Sequence, residues 1–118
     1  MSSTVAEVSA QVGRAVQLQK AAGWDPVGLQ LGDPDASVDR VAVCHEVTPL
    51  VVRRLIDLNI DMAIAYHPLL FRPVTHLVAG SGPAARAFDL VTNGIALSVV
   101  HTAFDVMPGG TADALAQS

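Results

Sequence analysis

The chain has little of several things. It has one cysteine, Cys44, in 118 residues. A single thiol cannot close an intramolecular disulfide, so no disulfide framework holds the fold, as a reducing cytosol would allow. Basic residues are also few: seven Lys and Arg against eleven Asp and Glu give a formal charge of −4, and no basic run occurs. Binding a phosphate backbone needs clustered positive charge. Nucleic acid is therefore not expected as the main partner, whereas a small anionic ligand remains compatible. No stretch reaches the roughly 18 consecutive apolar residues of a membrane helix, so no membrane association is expected. Met1 to Glu7 carry neither the basic n-region nor the apolar h-region of a signal peptide. The reading is a cytoplasmic protein. Neither a Gly-x-Gly-x-x-Gly nor a phosphate-binding P-loop occurs, and there is no internal repeat, low-complexity tract or linker.

What is present points to a packed domain. The composition is 51% hydrophobic and 15% charged, enough apolar material for one core and too much for a disordered tail. Val5, Val8, Val12 and Val16 recur at helical spacing behind Ser3 and Thr4, with Glu7 three residues past Thr4; this predicts a capped helix over about 4–20. Gly23 stops it, and Trp24–Gly28 and Gly32–Asp35 read as turns. Arg40 to His45 reads as a short buried strand. Thr48-Pro49 opens a helix with Val51, Val52, Leu55, Ile56 and Leu58 on its apolar stripe. Asp61 to Tyr66 is a second strand, Pro83 to Val91 a helix closed by Asn93-Gly94, and Ile95 to Val100 a third strand. A last helix begins near Thr111 and is still running at Leu115-Ala116-Gln117-Ser118, which reads as a truncated domain. Strands alternating with helices imply parallel βαβ units. Continuous apolar strands imply a sheet covered on both faces. The expected fold is α/β, a mostly parallel sheet with helices on both faces, over residues 1–118 as a single domain.

Open parallel sheets bind ligands beyond the carboxyl ends of their strands. The first strand ends in His45-Glu46, the second in Tyr66-His67 and the third at His101, with Asp105 four residues on. Imidazole and carboxylate together suit a borderline divalent ion such as Zn, Mn, Fe or Ni. His67, His101 and Asp105 are the leading candidates. His45 is read as mostly structural, with Glu46 left open. His76, beside Thr75, is read as solvated. Tyr66 is either a marginal ligand or a strand-end aromatic with a hydrogen-bonded hydroxyl. Cys44 is read as a small buried core residue, and Trp24 as a packing residue.

Three blocks carry a resemblance. Trp24-Asp25-Pro26-Val27-Gly28-Leu29-Gln30-Leu31-Gly32 is similar to a Trp-Asp-Asn-Val-Gly-Leu-x-x-Gly opening. Tyr66-His67-Pro68-Leu69-Leu70-Phe71 resembles a His-His-Pro-Leu-Leu-Phe segment. His101-Thr102-Ala103-Phe104-Asp105, with Gly109-Gly110 and Ala114-Leu115-Ala116, resembles a His-Thr-x-x-Asp block and the helix after it. In this order and spacing the chain resembles the N-terminal half of the Nif-three-like dinuclear metal-centre proteins, also called GTP cyclohydrolase I type 2-like.

The resemblance implies a centre of two divalent ions. Its ligands are the paired histidines, the Asp of the third block and a later His and Glu. His67 and Asp105 carry over as ligands, and Tyr66 stands at the first position of the pair. His101 carries over as a motif residue near the metals, a second-shell or catalytic group able to move a proton. The sequence departs from the pattern at Tyr66, and it ends before the later His and Glu. The resemblance further implies a ring-shaped homohexamer. Two functional readings stay open: a metal-dependent hydrolase acting on a small molecule, and a non-enzymatic metal-binding scaffold or regulatory oligomer acting through partner proteins.

Overall fold

The computed structural model describes residues 3–16 and 27–101. Helix α1 (Val5–Ala15) follows a two-residue strand β1 (Ser3–Thr4). Thr4 caps it: its hydroxyl accepts from the Glu7 N–H at 3.2 Å and donates to the Glu7 carboxylate at 3.3 Å. Such a cap is worth about 1 kcal/mol. The predicted helix over 4–20 is thus present over its described part, with Val16 as C-cap. Strands β2 (Gly28–Leu31), β3 (Ser37–Val38) and β4 (Val41–Cys44) come next. Helix α2 (Pro49–Asp57) follows, then strand β5 (Met62–Ala65), helix α3 (Pro83–Thr92) and strand β6 (Ala96–Val99).

The order in the main sheet is β2-β6-β5-β4. β4, β5 and β6 are parallel, and β2 lies antiparallel along β6. β1 and β3 form a small antiparallel pair of their own. The mostly parallel sheet expected from the alternation of strands and helices is the observed one. Both crossover helices use the local signals legible in the sequence. The Thr48 hydroxyl accepts from the Val51 N–H at 3.1 Å, with Pro49 in the first turn. Each helix also ends in a left-handed residue, Asn59 (φ 54°) or Gly94 (φ 68°). The bonds Ile60 N–H to Leu55 C=O (3.0 Å) and Ile95 N–H to Leu90 C=O (2.9 Å) turn the chain directly into the next strand.

Alternation along the strands divides the core in two. Ala63, Ala65, Leu97 and Val99 point to one face and pack with Val52, Leu55, Ala87 and Leu90 of α2 and α3. Met62 and Ala96 point to the other and pack with Val5 of α1, Val38 of β3 and the flanking Leu29. Burying a side chain such as Leu90 or Leu97 contributes roughly 1.5–3 kcal/mol, and both are fully buried. Helices therefore cover both faces, but not evenly. The expectation that every parallel strand is a doubly buried apolar run holds for β6 and most of β5. It does not hold for β4, an edge strand whose Val43 is 80% exposed.

Strand β2 is absent from the sequence reading, and its geometry explains why. The pairing with β6 slips between Leu29, opposite Ser98, and Leu31, opposite Leu97. Gln30 is the extra residue of a β-bulge. Leu29 consequently joins the α1-side core and Leu31 the α2–α3 side. Leu29 and Leu31 alternate with Gln30 in the sequence, but the run is only four residues long and is bracketed by Gly28 and Gly32, which read as turn residues.

Candidate metal centre

The parallel ladder continues past the strand ends and carries the histidines with it. Tyr66 N–H donates to Cys44 C=O at 3.1 Å and His67 N–H to His45 C=O at 2.9 Å. On the other side, Val100 N–H donates to Ala65 C=O at 3.1 Å and His101 N–H to Tyr66 C=O at 2.9 Å. These bonds fix three backbone segments side by side beyond β4, β5 and β6, so the side chains have little choice but to meet. The rings of His45 and Tyr66 stack, with centroids 5.1 Å apart and planes 12° from parallel. His67 lies 4.7 Å from His45, 4.9 Å from Tyr66 and 5.2 Å from His101. Tyr66 and His101 are 5.4 Å apart.

The structure thus brings Tyr66, His67 and His101 together. Asp105 lies outside the described residues, as do Trp24 and the final helix. His45, read from sequence as mostly structural, sits inside the ring cluster. Glu46 is exposed. His76 is exposed and its Nδ1 is 2.8 Å from the Thr75 hydroxyl. Cys44 is half-buried and packs against the α2–α3 core. Burial raises its thiol pKa, because a thiolate loses hydration there; it packs on the core as expected but is only partly buried, because β4 is the sheet edge. A pocket of about 140 Å³ adjoins the cluster, lined by Val43, Cys44, Ile64, Ala65, Tyr66 and Val100. A larger cavity of about 540 Å³ lies between α2 and α3, beside Arg53 and Arg86.

Sequence reasoning missed Gln30. Its side-chain carbonyl accepts from the Leu69 and Leu70 N–H groups at 3.1 and 2.8 Å, and its amide donates to Leu70 C=O at 2.9 Å. The bulge aims this residue at the segment that leaves His67-Pro68. The flanking Gly28 and Gly32 were the available signal. Gln30→Ala strands three partly buried backbone groups, and we expect a loss of roughly 2–3 kcal/mol in urea unfolding. A change within about 0.5 kcal/mol, the range of an ordinary surface site, would show that the three bonds anchor nothing.

A sequence profile of the family Duf34/NIF3 (NGG1p interacting factor 3) matches residues 3–118. The chain belongs to the NIF3 family. A "GTP cyclohydrolase 1 type 2 homolog" of Lactococcus lactis is 37% identical over 93 residues, covering 79% of this chain and 36% of the relative. One of the same name from Mycobacterium bovis is 35% identical over 118 residues, 100% of this chain and 31% of its own length. The crystal structure of a Bacillus cereus protein related to NIF3 superposes with a TM-score of 0.89 at 29% identity, covering 98% of this chain and 32% of that one. The chain spans about a third of the length of the curated NIF3 relatives it matches.

The donor chemistry of the cluster fits a borderline divalent ion, since neutral imidazole is a ligand of choice for such metals. The described residues do not close a site by themselves: among them no group of three or more His, Cys, Asp or Glu is placed to hold a metal. In this NIF3 chain His67 would hold the ion, with Asp105 and the marginal Tyr66 as further candidates, and His101 lies beside His67 and Tyr66.

Proposed function

We propose that this chain provides the strand-end part of a metal centre in a NIF3-family metal-dependent hydrolase. The observation that carries the reading is the meeting of His67, His101 and Tyr66 at the carboxyl ends of adjacent parallel strands, where α/β folds bind their ligands. A divalent ion there, Zn, Mn, Fe or Ni, supplies Lewis-acid polarisation and activation of water. His67 and Asp105 are the proposed ligands, with Tyr66 as a weak one. His101, 5.2 Å from His67 between ring centroids, is placed to give or take a proton as a general acid or base. The relatives' name makes a purine nucleotide the first substrate class to try.

Two ions per complete site, a homohexameric assembly and a cytoplasmic setting belong to the same proposal. The exposed apolar Val41 and Val43 on the β4 edge support a surface covered in a larger assembly. No described helix is long and apolar enough to cross a membrane. A second reading, a metal-binding scaffold without turnover, draws on Tyr66, which stands where the family motif has a histidine.

The test is equilibrium dialysis of the 118-residue chain against Zn²⁺ with elemental analysis, followed by a nucleotide turnover screen of the loaded protein. Weak but saturable binding is expected, because stable sites take three or four protein ligands and the described residues offer fewer. Absence of saturable binding would remove both readings. Binding without turnover of any nucleotide would favour the scaffold.

A further inference from the structure

We propose that His45 supplies the metal centre with the imidazole that Tyr66 does not. The inference rests on the metal-binding reading above and goes beyond it by adding a residue that the family's motif does not contain. Three observations carry it. His45 lies beside Tyr66 across the ladder, and its carbonyl accepts the His67 N–H at 2.9 Å, so its backbone is held one strand away from the proposed ligand. Its ring stacks on the ring of Tyr66, 5.1 Å away and 12° from parallel, so the imidazole sits next to the position left without one. Its ring centroid is also 4.7 Å from that of His67.

That last separation, an edge-to-face ring contact as the side chains stand, also admits a shared ion. Two imidazoles bound to one ion through bonds of roughly 2.0–2.1 Å have centroids roughly 4.5–5.3 Å apart. The His45–His67 distance falls in this window. His45 is exposed, so its imidazole can turn about its side-chain bonds without repacking a core. A phenol is a poorer ligand for such ions than an imidazole, which is a ligand of choice for them. Stacking on Tyr66 then gives the tyrosine a role, that of a platform orienting His45.

The test uses the 118-residue chain as wild type, His45→Ala, His67→Ala, Tyr66→His and the double variant His45→Ala with Tyr66→His. Zn²⁺ affinity is read by competition with a chromogenic chelator, and coordinated nitrogens by the electron paramagnetic resonance of bound Cu²⁺. Circular dichroism melting checks that each variant is folded. His45→Ala should weaken Zn²⁺ binding about 10-fold or more and remove one nitrogen from the Cu²⁺ spectrum. Loss of that nitrogen in a His45→Ala variant that melts as wild type does is the signature that a merely structural His45 would not produce, and Tyr66→His should restore both affinity and nitrogen count in the double variant. Loss in His67→Ala with wild-type affinity and nitrogen count in His45→Ala overturns the role of His45 and leaves the metal-binding reading standing. Wild-type chain that binds neither ion, or His67→Ala that binds as wild type does, overturns both.

Discussion

Gly32→Ala should destabilise the domain by roughly 3 kcal/mol or more, lowering the thermal midpoint by about 12 °C. Two costs combine at this position. The residue has φ +118°, a conformation that L side chains rarely adopt, and such strain costs roughly 1–3 kcal/mol. An added Cβ would also lie 2.6 Å from the Ala96 Cβ and 2.9 Å from the Ala96 Cα. The second contact is with backbone, so no side chain can swing aside. β2 would have to lift off the start of β6, loosening both the Leu29 side and the Leu31 side of the core. Gly94 provides the control: it has φ +68°, and an added Cβ there would meet nothing within 4 Å. Gly94→Ala should show only the conformational cost, about 1–2 kcal/mol. Differential scanning calorimetry on the two variants separates strain from collision. Equal losses would mean that the close approach of Gly32 to β6 is not a constraint on the fold.

His67→Ala should weaken divalent-metal binding by 10-fold or more, whereas Tyr66→Phe should change it by less than about 3-fold, a difference of over 0.7 kcal/mol in binding. His67 contacts the other three rings of the cluster and offers an imidazole nitrogen donor. Tyr66→Phe keeps the ring that stacks on His45 and removes only the hydroxyl, a poorer donor for such ions than imidazole. Isothermal titration with Zn²⁺ on both variants decides it. Equal loss in the two would make the phenolate a ligand and overturn the ranking of the donors.

Much of this architecture is legible in the sequence because its signals are local. Thr48-Pro49 caps α2, Gly94 ends α3, and the apolar runs around Val43, Ile64 and Leu97 are strands of one parallel sheet. The strand-end histidines are legible for the same reason: a parallel sheet carries all its carboxyl ends to one edge. What cannot be read depends on distant partners. The bulge at Gln30 sends Leu29 and Leu31 to opposite faces despite their spacing of two, and the bonds that give Gln30 its purpose reach to Leu69 and Leu70, some 40 positions away. The exposure of Val43 follows from β4 being the sheet edge, which an apolar run does not reveal. His45 is undervalued by sequence alone because its neighbours in the chain say nothing of Tyr66 and His67, which the parallel register of β4 and β5 brings beside it.

X-ray absorption on the Zn²⁺-loaded chain tests the central claim, that the strand-end imidazoles bind metal, most directly. The expected result is a first shell containing nitrogen at about 2.0–2.1 Å with the outer-shell scattering of imidazole rings, and loss of imidazole scattering in His67→Ala. An oxygen-only shell, or a nitrogen shell unchanged by His67→Ala, would contradict it.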